Sequence, residues 1–578
     1  MKLFGRDVPK PLEAAVAACR SHFITAALFS ALVNILYLAP TIYMMQVYDR
    51  VVPTQGVLTL VWITIIVALA IGTLCVLDAI RTRIMMQASL RLNRFLAGEI
   101  LDRLMSRRRL ANGEPSTAQA MREFDALRQG LGGQAMIALF DAPWTPLYLL
   151  VAFVIHPILG ALVFVGAVIL IALALINERN GRSGAIRGLK ASATAYAAQD
   201  ATLARAEVVR ALGMRRAVVA RQLDDRTEGI EAGAKAQFTA GRYNALVKFF
   251  RMFFQSLALG VAAWLAVKGQ ISVGAIIAGS VLLSRGLQPI EQLVNVYPTI
   301  VQARQAMETL TSLFEANETT ARPTLALPAP VGYVELANVS VRSPEGALIL
   351  RGASICLIPG DVIGLIGPSG AGKTTLARVA AGALPPDGGE VRIDDASFDD
   401  WDSDELARHI GYLPQDSILL AGTIAENISR FRQGGGQEAD QKVIRAALLA
   451  GVHEMILHLP DGYSARIGEG GLGLSGGQAQ RIALARALYD DPKVLILDEP
   501  SSALDAEGEE ALRRAIADAR NRGAATMIVA HRASILRNVD RLAVLNNGSV
   551  ERQGPRQEVL DALQRNEAGP NVVNMRGM

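Results

Sequence analysis

The 578-residue sequence contains little cysteine and no large excess of either charge. Its three cysteines, Cys19, Cys75 and Cys356, have neither the spacing of a metal-ligand set nor an obvious disulfide pattern. Its 58 basic residues nearly balance its 54 acidic residues, so the sequence does not predict a dominant basic surface. The few cysteines argue against a disulfide framework and a cysteine metal centre, and the nearly balanced charge argues against a nucleic-acid partner.

Hydrophobic residues are abundant instead, and they are unevenly distributed. They form 51% of the chain and give a mean hydropathy of +0.28, which is high for a soluble globular protein. Six segments reach the roughly 20 apolar residues that a membrane-spanning helix needs. They lie near 22–43, 57–77, 134–155, 158–177, 247–267 and 273–294. The sequence therefore predicts an α-helical six-span domain over 22–315 in a lipid bilayer, after a short cytoplasmic segment, 1–21.

The positions of basic residues predict which ends of the spans face the cytoplasm. The two long connections, 78–133 and 178–246, are rich in arginine, whereas the three short ones contain only Arg50 and Lys268. We therefore expect both long connections and both termini in the cytoplasm. The long connections contain many helix-forming residues, which indicates that the spanning helices continue beyond the membrane.

The composition changes after the last span. The segment 316–332 contains three prolines and many polar residues, which is typical of a linker. From 333 to 565, short β-rich runs alternate with helical ones, and a tail over 566–578 follows. This alternation predicts a soluble α/β domain with a largely parallel sheet flanked by helices.

A phosphate-binding motif lies near the start of this α/β domain. The residues GPSGAGKTT match G-x-x-x-x-G-K-[ST], follow the apolar run DVIGLI and precede a helix-forming run. Such a loop surrounds phosphates with backbone N–H groups at a helix N-terminus. Lys373 is expected to reach the β- and γ-phosphates, and the Thr374 hydroxyl to ligate Mg²⁺. The predicted nucleotide-binding residues of this loop are Gly367, Pro368, Ser369, Gly370, Ala371, Gly372, Lys373, Thr374 and Thr375.

A second motif, VLILDEP at 494–500, is typical of a buried strand that delivers two carboxylates at its C-terminal end. We expect Asp498 to hold Mg²⁺, directly or through water, and Glu499 to polarise the water that attacks the nucleotide. P-loop kinases and GTPases would also account for these two motifs. The class of protein therefore depends on a further motif.

That motif is LSGGQAQR at 474–481, and with it the segment 331–560 resembles the ATP-binding cassette (ABC) superfamily. The resemblance implies ATP and Mg²⁺ as cofactors. It also implies that a helix N-terminus in this motif contacts the nucleotide held by a second subunit. The residues to which the resemblance gives this role are Ser475, Gly476, Gly477 and Gln478.

Further matches to the superfamily follow in its order along the chain. By this resemblance, Gln415 in YLPQD senses Mg²⁺ and the nucleophile, and is a ligand of the metal. Asp505 in SALD belongs to the loop that meets the other subunit, and His531 in IVAHR touches the γ-phosphate. The resemblance thus implies Glu499, His531 and Gln415 as the catalytic residues.

One position departs from the superfamily pattern. Many members have a tyrosine that stacks on adenine upstream of the phosphate loop, whereas this chain has Ser343 there, in VSVRSP. Either another apolar residue such as Ile349 covers the adenine, or the base is stacked weakly. We therefore expect weaker ATP affinity than an aromatic residue would give.

Three stretches of the membrane half also carry a resemblance: YMMQVYDRVVPTQGVLTL, FDAPWTPLYLLVAFVIHPILG and LLSRGLQPIEQLV. Together they resemble the PrtD-type permease/ATPases of bacterial type I secretion. The resemblance implies a homodimeric exporter in the inner membrane. Its implied partners are a periplasmic adaptor (membrane fusion) protein, a TolC-like outer-membrane channel and an unfolded secreted protein with a C-terminal signal.

Two further points concern the membrane half, the first from its resemblance to ABC exporters and the second from its charged residues. Exporters of lipids or hydrophobic small molecules share the same plan, so they are the alternative cargo class. Charged residues in a span usually face a bundle interior or a wet cavity. We therefore hypothesise that Arg285 and Glu291 line the polypeptide path or its gate, and we place Pro143 and Pro146 at the start of the third span.

Overall fold

The computed structural model describes most of the chain. The described residues are 2–3, 6–7, 9–105, 117–203, 205–316, 327–343, 345–432, 434, 436–468, 473–530 and 536–567. The chain divides into two compact units, with the main division between residues 319 and 320. Residues 317–326 of the expected linker and 568–578 of the expected tail lie outside the described part. The domain limits given above stay predictions.

The described residues of the first unit form helices, apart from two short N-terminal strands, β1 (Lys2–Leu3) and β2 (Arg6–Asp7). A π-helical turn, Val47–Val51, separates α3 from α4, and a 3₁₀ turn, Ala142–Trp144, separates α7 from α8. The described helices are α1 (Lys10–Ala18), α2 (Arg20–Leu36), α3 (Ala39–Gln46), α4 (Val52–Thr54), α5 (Val57–Met105), α6 (Thr117–Gly132), α7 (Gln134–Asp141), α8 (Thr145–Ile155), α9 (Pro157–Leu203), α10 (Ala206–Ala211), α11 (Arg215–Val267) and α12 (Val273–Ala316).

Six helical segments among the described residues have the length and composition of membrane spans. They are Arg20–Thr54, Val57–Met105, Ala120–Ile155, Pro157–Gly188, Arg215–Val267 and Val273–Glu315. Each span predicted from the sequence lies within one of them, so the six-span fold class is confirmed, while the exact span limits stay predictions. The helices α5, α9, α11 and α12 contain 44 to 53 residues each. At about 1.5 Å per residue they are longer than a hydrocarbon core of about 30 Å.

The helix α5 illustrates how the sequence sets this arrangement. None of its residues before Arg81 is buried, which suits a helix surrounded by lipid. From Arg81 onward, buried residues recur every three or four positions, as at Leu92, Leu96 and Ile100. This spacing forms one helix face, and it packs into a core shared with α1, α6 and α12.

The proline-rich segment FDAPWTPLY forms a break inside a helical stretch. Pro143 lies in the 3₁₀ turn and Pro146 in the first turn of α8, positions where a missing N–H is tolerated. The prolines do not begin the helical stretch, because α7 precedes them. On either side of this break lie two buried polar residues, Asp141 and Tyr148. The Tyr148 hydroxyl donates to the backbone carbonyl of Asn34 on α2 at 2.9 Å.

The second unit contains a six-stranded mixed sheet and a four-stranded antiparallel sheet. The large sheet has the order β14-β13-β5-β12-β11-β8, with only β14 antiparallel to its neighbour, and the small sheet has the order β4-β3-β6-β7. The strands are β3 (Val334–Arg342), β4 (Leu348–Leu357), β5 (Val362–Ile366), β6 (Gly388–Ile393), β7 (Ala396–Ser397), β8 (Ile410–Leu413), β9 (Gly422–Thr423), β10 (Arg466–Ile467), β11 (Val494–Asp498), β12 (Ala525–Val529), β13 (Arg541–Asn546) and β14 (Ser549–Pro555).

Helices pack on one face of the large sheet, and helices together with the small sheet pack on the other, so its central strands are buried and form continuous apolar runs. The described helices of this unit are α13 (Lys373–Ala380), α14 (Ser403–His409), α15 (Ile424–Ile428), α16 (Gln437–Leu449), α17 (His453–Leu457), α18 (Gly476–Leu488), α19 (Ala506–Asn521) and α20 (Arg556–Glu567). The strands β5, β12 and β11 are parallel neighbours, so the segments that follow β5 and β11 leave the same edge of the sheet.

Candidate nucleotide site

The loop between β5 and α13 is shaped by its glycines. Gly372 has a φ of +99°, and a Cβ there would lie 2.9 Å from the Leu350 side chain. A Cβ on Gly367 would lie 2.1 Å from the carbonyl oxygen of Leu545, so any side chain would displace the loop. Pro368, Ser369 and Gly370 are exposed between these two positions. The loop therefore approaches its neighbours through backbone alone and leaves its N–H groups open to an anion.

Lys373 begins α13 and is buried beneath this loop. Its ammonium group donates to the carbonyls of Gly367 and Pro368, both at 2.9 Å. Burial lowers the pKa of Lys373, while the nearby carboxylates of Glu499 and Asp498 act in the opposite direction. The lysine thus connects the loop to the two acidic residues that follow β11.

Oxygen atoms suited to a magnesium ion come from three elements. The Thr374 hydroxyl on α13 lies 3.5 Å from the side-chain oxygen of Gln415, which follows β8. Asp498 ends β11 and its side chain is fully buried. Hydroxyl, carboxamide and carboxylate oxygens are ligands that Mg²⁺ accepts. The residues at these three positions therefore fit the ion that the sequence predicts there.

Glu499 has an unusual backbone conformation. Its φ is +49°, in the left-handed region, which costs energy for a residue with a side chain. Its N–H donates to the carbonyl of Val529 on β12 at 3.0 Å, which holds the residue at the sheet edge. Strain retained beside the phosphate loop is consistent with a functional demand on the direction of this carboxylate.

The signature segment forms the N-terminus of α18. The Ser475 hydroxyl accepts from the N–H of Gln478 at 3.2 Å, and the Gln478 side chain accepts from the N–H of Ser475 at 2.9 Å. This capping box satisfies donors that the first turn of a helix leaves free. A Cβ on Gly477 would lie 2.8 Å from the carbonyl oxygen of Ala503, so a glycine is required for this approach.

Gln480, which the sequence analysis did not single out, links the signature helix to the segment that follows β11. Its side-chain amide donates to the carbonyl of Glu499 at 3.3 Å and to the hydroxyl of Ser502 at 3.1 Å. Its side-chain oxygen accepts from the N–H of Ala503 at 2.9 Å. The residue is buried, on the same face of α18 as Ala483. A polar residue on an otherwise apolar helix face is the signal that could have identified it.

Asp505 is engaged within its own chain. Its carboxylate caps α19 by accepting from the N–H of Gly508 at 2.9 Å, and it pairs with Arg481 at 2.6 and 2.7 Å. The backbone hydrogen bond from Gly508, followed by the Arg481 charge, holds the pKa of Asp505 below its usual value. Arg481 is on α18, so this ion pair is a second connection between the signature helix and the segment after β11.

The remaining predicted residues fall at the edge of this site or beyond the described part. Ser343 begins a turn in which its hydroxyl accepts from the N–H of Ala347 at 3.2 Å. The carbonyl of Ile349 lies 3.2 Å from where a Cβ on Gly372 would be, so Ile349 adjoins the phosphate loop. His531 lies outside the described residues.

Comparison with known families and proteins agrees with this geometry. Residues 350–502 match the family described as ABC transporter, and residues 23–289 match the ABC transporter transmembrane region. A solved bacterial Atm1-family ABC exporter with ATP bound has a TM-score of 0.80 and 25% identity, over 96% of this chain and 100% of that one.

Two curated relatives extend the similarity through both domains. The type I secretion system ATP-binding protein PrsD of Rhizobium meliloti is 38% identical over 553 residues, which cover 96% of this chain and 94% of the relative. The toxin RTX-I translocation ATP-binding protein of Actinobacillus pleuropneumoniae is 30% identical over 94% of this chain and 77% of the relative. This chain therefore belongs to the ABC transporters of type I secretion systems, multi-pass membrane proteins whose cassette binds nucleotide and hydrolyses ATP.

Proposed function

We propose that this chain is the bacterial inner-membrane exporter of a type I secretion system and moves unfolded proteins with a C-terminal signal out of the cell. The observation that carries the proposal is the 38% identity to PrsD, because it extends over 553 residues and so includes the spans as well as the cassette. A relative named for alpha-hemolysin translocation, from Escherichia coli, is 30% identical over 560 residues. Similarity limited to the cassette would support ATP hydrolysis alone.

In this proposal the phosphate loop binds ATP. Backbone N–H groups of the loop surround the phosphates, and Lys373 exchanges its two carbonyl partners for phosphate oxygens. Mg²⁺ would be held by Thr374, Gln415 and Asp498, and it would neutralise charge on the phosphates. Glu499 orients and polarises the attacking water, and catalysis rests mainly on positioning and charge stabilisation.

Two copies of the chain form the working transporter in this proposal. One chain has a single phosphate loop, a single signature segment and six spans. A homodimer joined head to tail gives two nucleotide sites, each completed by residues 475–478 and Asp505 of the other copy. A periplasmic adaptor and a TolC-like outer-membrane channel complete the route, as expected for this class of system.

An exporter of lipids or hydrophobic small molecules is the alternative, because the same fold serves several cargo classes. It would be favoured if phospholipids stimulated ATP hydrolysis by the chain in liposomes while signal-bearing proteins had no effect.

The deciding experiment reconstitutes secretion in cells. The chain is co-expressed with an adaptor, an outer-membrane channel and candidate secreted proteins, and protein in the medium is measured. We expect export that requires the C-terminal segment of the cargo and that stops with Glu499→Gln, since general acid–base groups contribute about 10²- to 10⁴-fold to rates. Export that persists with Glu499→Gln at wild-type rate would contradict the assigned role, and no export of any signal-bearing candidate would contradict the cargo class.

A further inference from the structure

A cavity of about 250 Å³ lies within the membrane domain, among α2, α5, α7, α8 and α12. Twelve of its sixteen lining residues have polar or charged side chains. The four charged ones, Asp78, Arg81, Asp141 and Arg285, sum to zero formal charge. Polar side chains in spanning helices usually face a bundle interior or a wet space. This cavity is therefore a hydrophilic space in a predominantly apolar domain.

One wall of the cavity is a buried network around Arg81. Its guanidinium donates to the carboxylates of Asp78 and Asp141 at 2.6 and 2.7 Å, and to the hydroxyl of Ser30 at 2.8 Å. Asn34 also donates to Asp141, at 2.9 Å. Because Arg81 is held by two carboxylates, this wall offers no unpaired cation to an anionic ligand. Its role in the cavity is to fix the positions of α2, α5 and α7.

A second wall is one face of α12. Arg285, Gln288, Gln292 and Asn295 all line the cavity and follow one another at spacings of three, four and three residues. Such spacing places them on a single helix face, over a length of about 15 Å. Arg285 is partly engaged, since it lies 4.4 Å from the centre of the Tyr37 ring and donates to Gln288 at 3.2 Å.

The other carboxamides are available to a ligand. Within the part of the chain that the structure describes, the side chains of Gln292, Asn295 and Gln134 form no hydrogen bond. Pro289, which also lines the cavity, has no N–H and leaves the carbonyl of Arg285 without its usual helical donor. The cavity thus presents unused neutral donors and acceptors together.

We propose that this cavity binds the backbone of an extended polypeptide segment during export, chiefly through the carboxamides of Gln134, Gln292 and Asn295. A carboxamide has the same donor and acceptor groups as a peptide bond, so it can bind a backbone whatever the cargo side chains are. The face of α12 is long enough for about four or five extended residues at roughly 3.3 Å each. The inference rests on the proposed function and adds the place where the cargo is held.

Other ligand classes fit the lining less well. Apolar small molecules bind in pockets lined mainly by hydrophobic and aromatic side chains, whereas only Ile137, Ala138, Pro289 and Val296 are apolar here. An anionic headgroup would have Arg285 alone for charge-assisted bonds, since Arg81 is already paired, and it would meet the carboxylates of Asp78 and Asp141 in the same cavity. Of the two charged residues that the sequence analysis placed on the polypeptide path, Arg285 lines this cavity. Glu291 does not line it, and pairs with Arg251 at 2.6 Å.

The test is photo-crosslinking in the full chain during export. A photoreactive amino acid replaces Gln292, and the probe is a protein that the wild-type chain exports, fused at its N-terminus to a stably folded domain that stalls it in transit. Val76, exposed on α5 two residues from Asp78, provides the matched control position. We expect crosslinks to the probe at position 292 and at most a tenth as many at position 76. A second probe, whose interior amino-acid sequence is shuffled while its C-terminal signal is unchanged, should give as many crosslinks at position 292 as the first probe.

A substitution gives a second measurement. Gln292→Leu combined with Asn295→Leu should lower the export rate about tenfold, because each lost hydrogen bond is worth roughly two- to tenfold. Val76→Leu is the control, and it should leave the export rate and basal ATP hydrolysis unchanged. If the leucine variant does not reach the membrane, the crosslinking result alone decides.

Three results would overturn the inference. They are export without crosslinks at position 292, equal crosslinking at positions 292 and 76, and crosslinks that disappear when the interior of the probe is shuffled. These differ from a failure of the proposed function, in which the wild-type chain exports no signal-bearing protein at all and the inference fails with it.

Discussion

The two domains bury charged groups in different settings, at the nucleotide loop in the cassette and in a paired network between helices in the membrane domain. In the cassette, the nucleotide loop is built from backbone and glycines, and ion pairs such as Arg392–Glu390 are on the surface, with side chains 47% and 43% exposed. In the membrane domain, the Arg81–Asp141 pair is interior, with side chains 6% and 11% exposed. Charges are retained in a low-dielectric interior only when they are paired. A buried ion pair therefore marks a constrained position in the membrane domain, whereas the constrained positions of the cassette are the loop glycines together with buried Lys373 and Asp498.

The largest effect is expected where the membrane domain buries its charges. Replacing Arg81 by methionine leaves Asp141 buried without its cation, which should lower the free energy of unfolding by about 3–5 kcal/mol. Thermal unfolding of the full chain in lipid nanodiscs measures this. The double variant Arg81→Met/Asp141→Leu removes both charges and should recover part of the loss. An unfolding temperature unchanged by Arg81→Met would contradict the contrast between the two domains.

A smaller effect is expected from the buried amide of the cassette. Gln480→Leu leaves the N–H of Ala503 without its partner and removes one of the two hydrogen bonds to the carbonyl of Glu499, at a cost of about 1–3 kcal/mol in stability. The turnover rate of ATP should also fall, with nucleotide affinity retained, because Gln480 positions Glu499 without touching the nucleotide. Steady-state kinetics and nucleotide binding measure the two quantities. The exposed Gln557→Leu is the control, and equal kinetics for both variants would refute the positioning role.

A gain of function is expected at the edge of the nucleotide site. Ser343→Tyr supplies an aromatic ring where the superfamily often has one, and base stacking is worth about 1–3 kcal/mol, or roughly fivefold or more in affinity. The cost is one exposed hydrogen bond, from the N–H of Ala347. A fluorescent-nucleotide titration measures the affinity, with Ser343→Ala as the control. No tightening would show that another residue already covers the adenine.

The smallest effect is expected at the exposed pair of the cassette. Arg392→Ala should leave the unfolding temperature and ATP hydrolysis unchanged, because surface ion pairs contribute little. A loss comparable with that of Arg81→Met would show that burial does not separate the two domains.

The difference between the two domains also explains which features could be predicted from the sequence and which could not. The cassette motifs are contiguous, so roles could be predicted for Lys373 and Asp498 from local patterns and for Ser475 from the resemblance to the ABC superfamily. The six spans followed from apolar length, because the bilayer sets a minimum. The network around Arg81 could not be found in this way, since its hydrogen bonds join residues 51 and 60 positions apart.

Two omissions have definite physical causes. In the segment FDAPWTPLY the prolines are the visible sequence feature. The long-range hydrogen bonds, however, are made by Asp141 and Tyr148, near the two ends of the segment. Gln480 lies within LSGGQAQR, but the resemblance gives roles only to residues 475–478, and the constraint on Gln480 comes from its position on a buried helix face. In both cases the partner is set by tertiary packing, which a local pattern does not contain.

The hydrogen bonds of Gln480 limit how this transporter can be recombined with its relatives. A chimera that received residues 474–481 from another exporter would also receive a new residue at position 480, while the acceptor at Ser502 and the donor at Ala503 stayed behind. The graft would be compatible only if the donor sequence kept a carboxamide at position 480 or brought its own residues 502 and 503. A functional exchange between exporters therefore has to transfer both segments together, the signature motif and the residues about twenty positions after it.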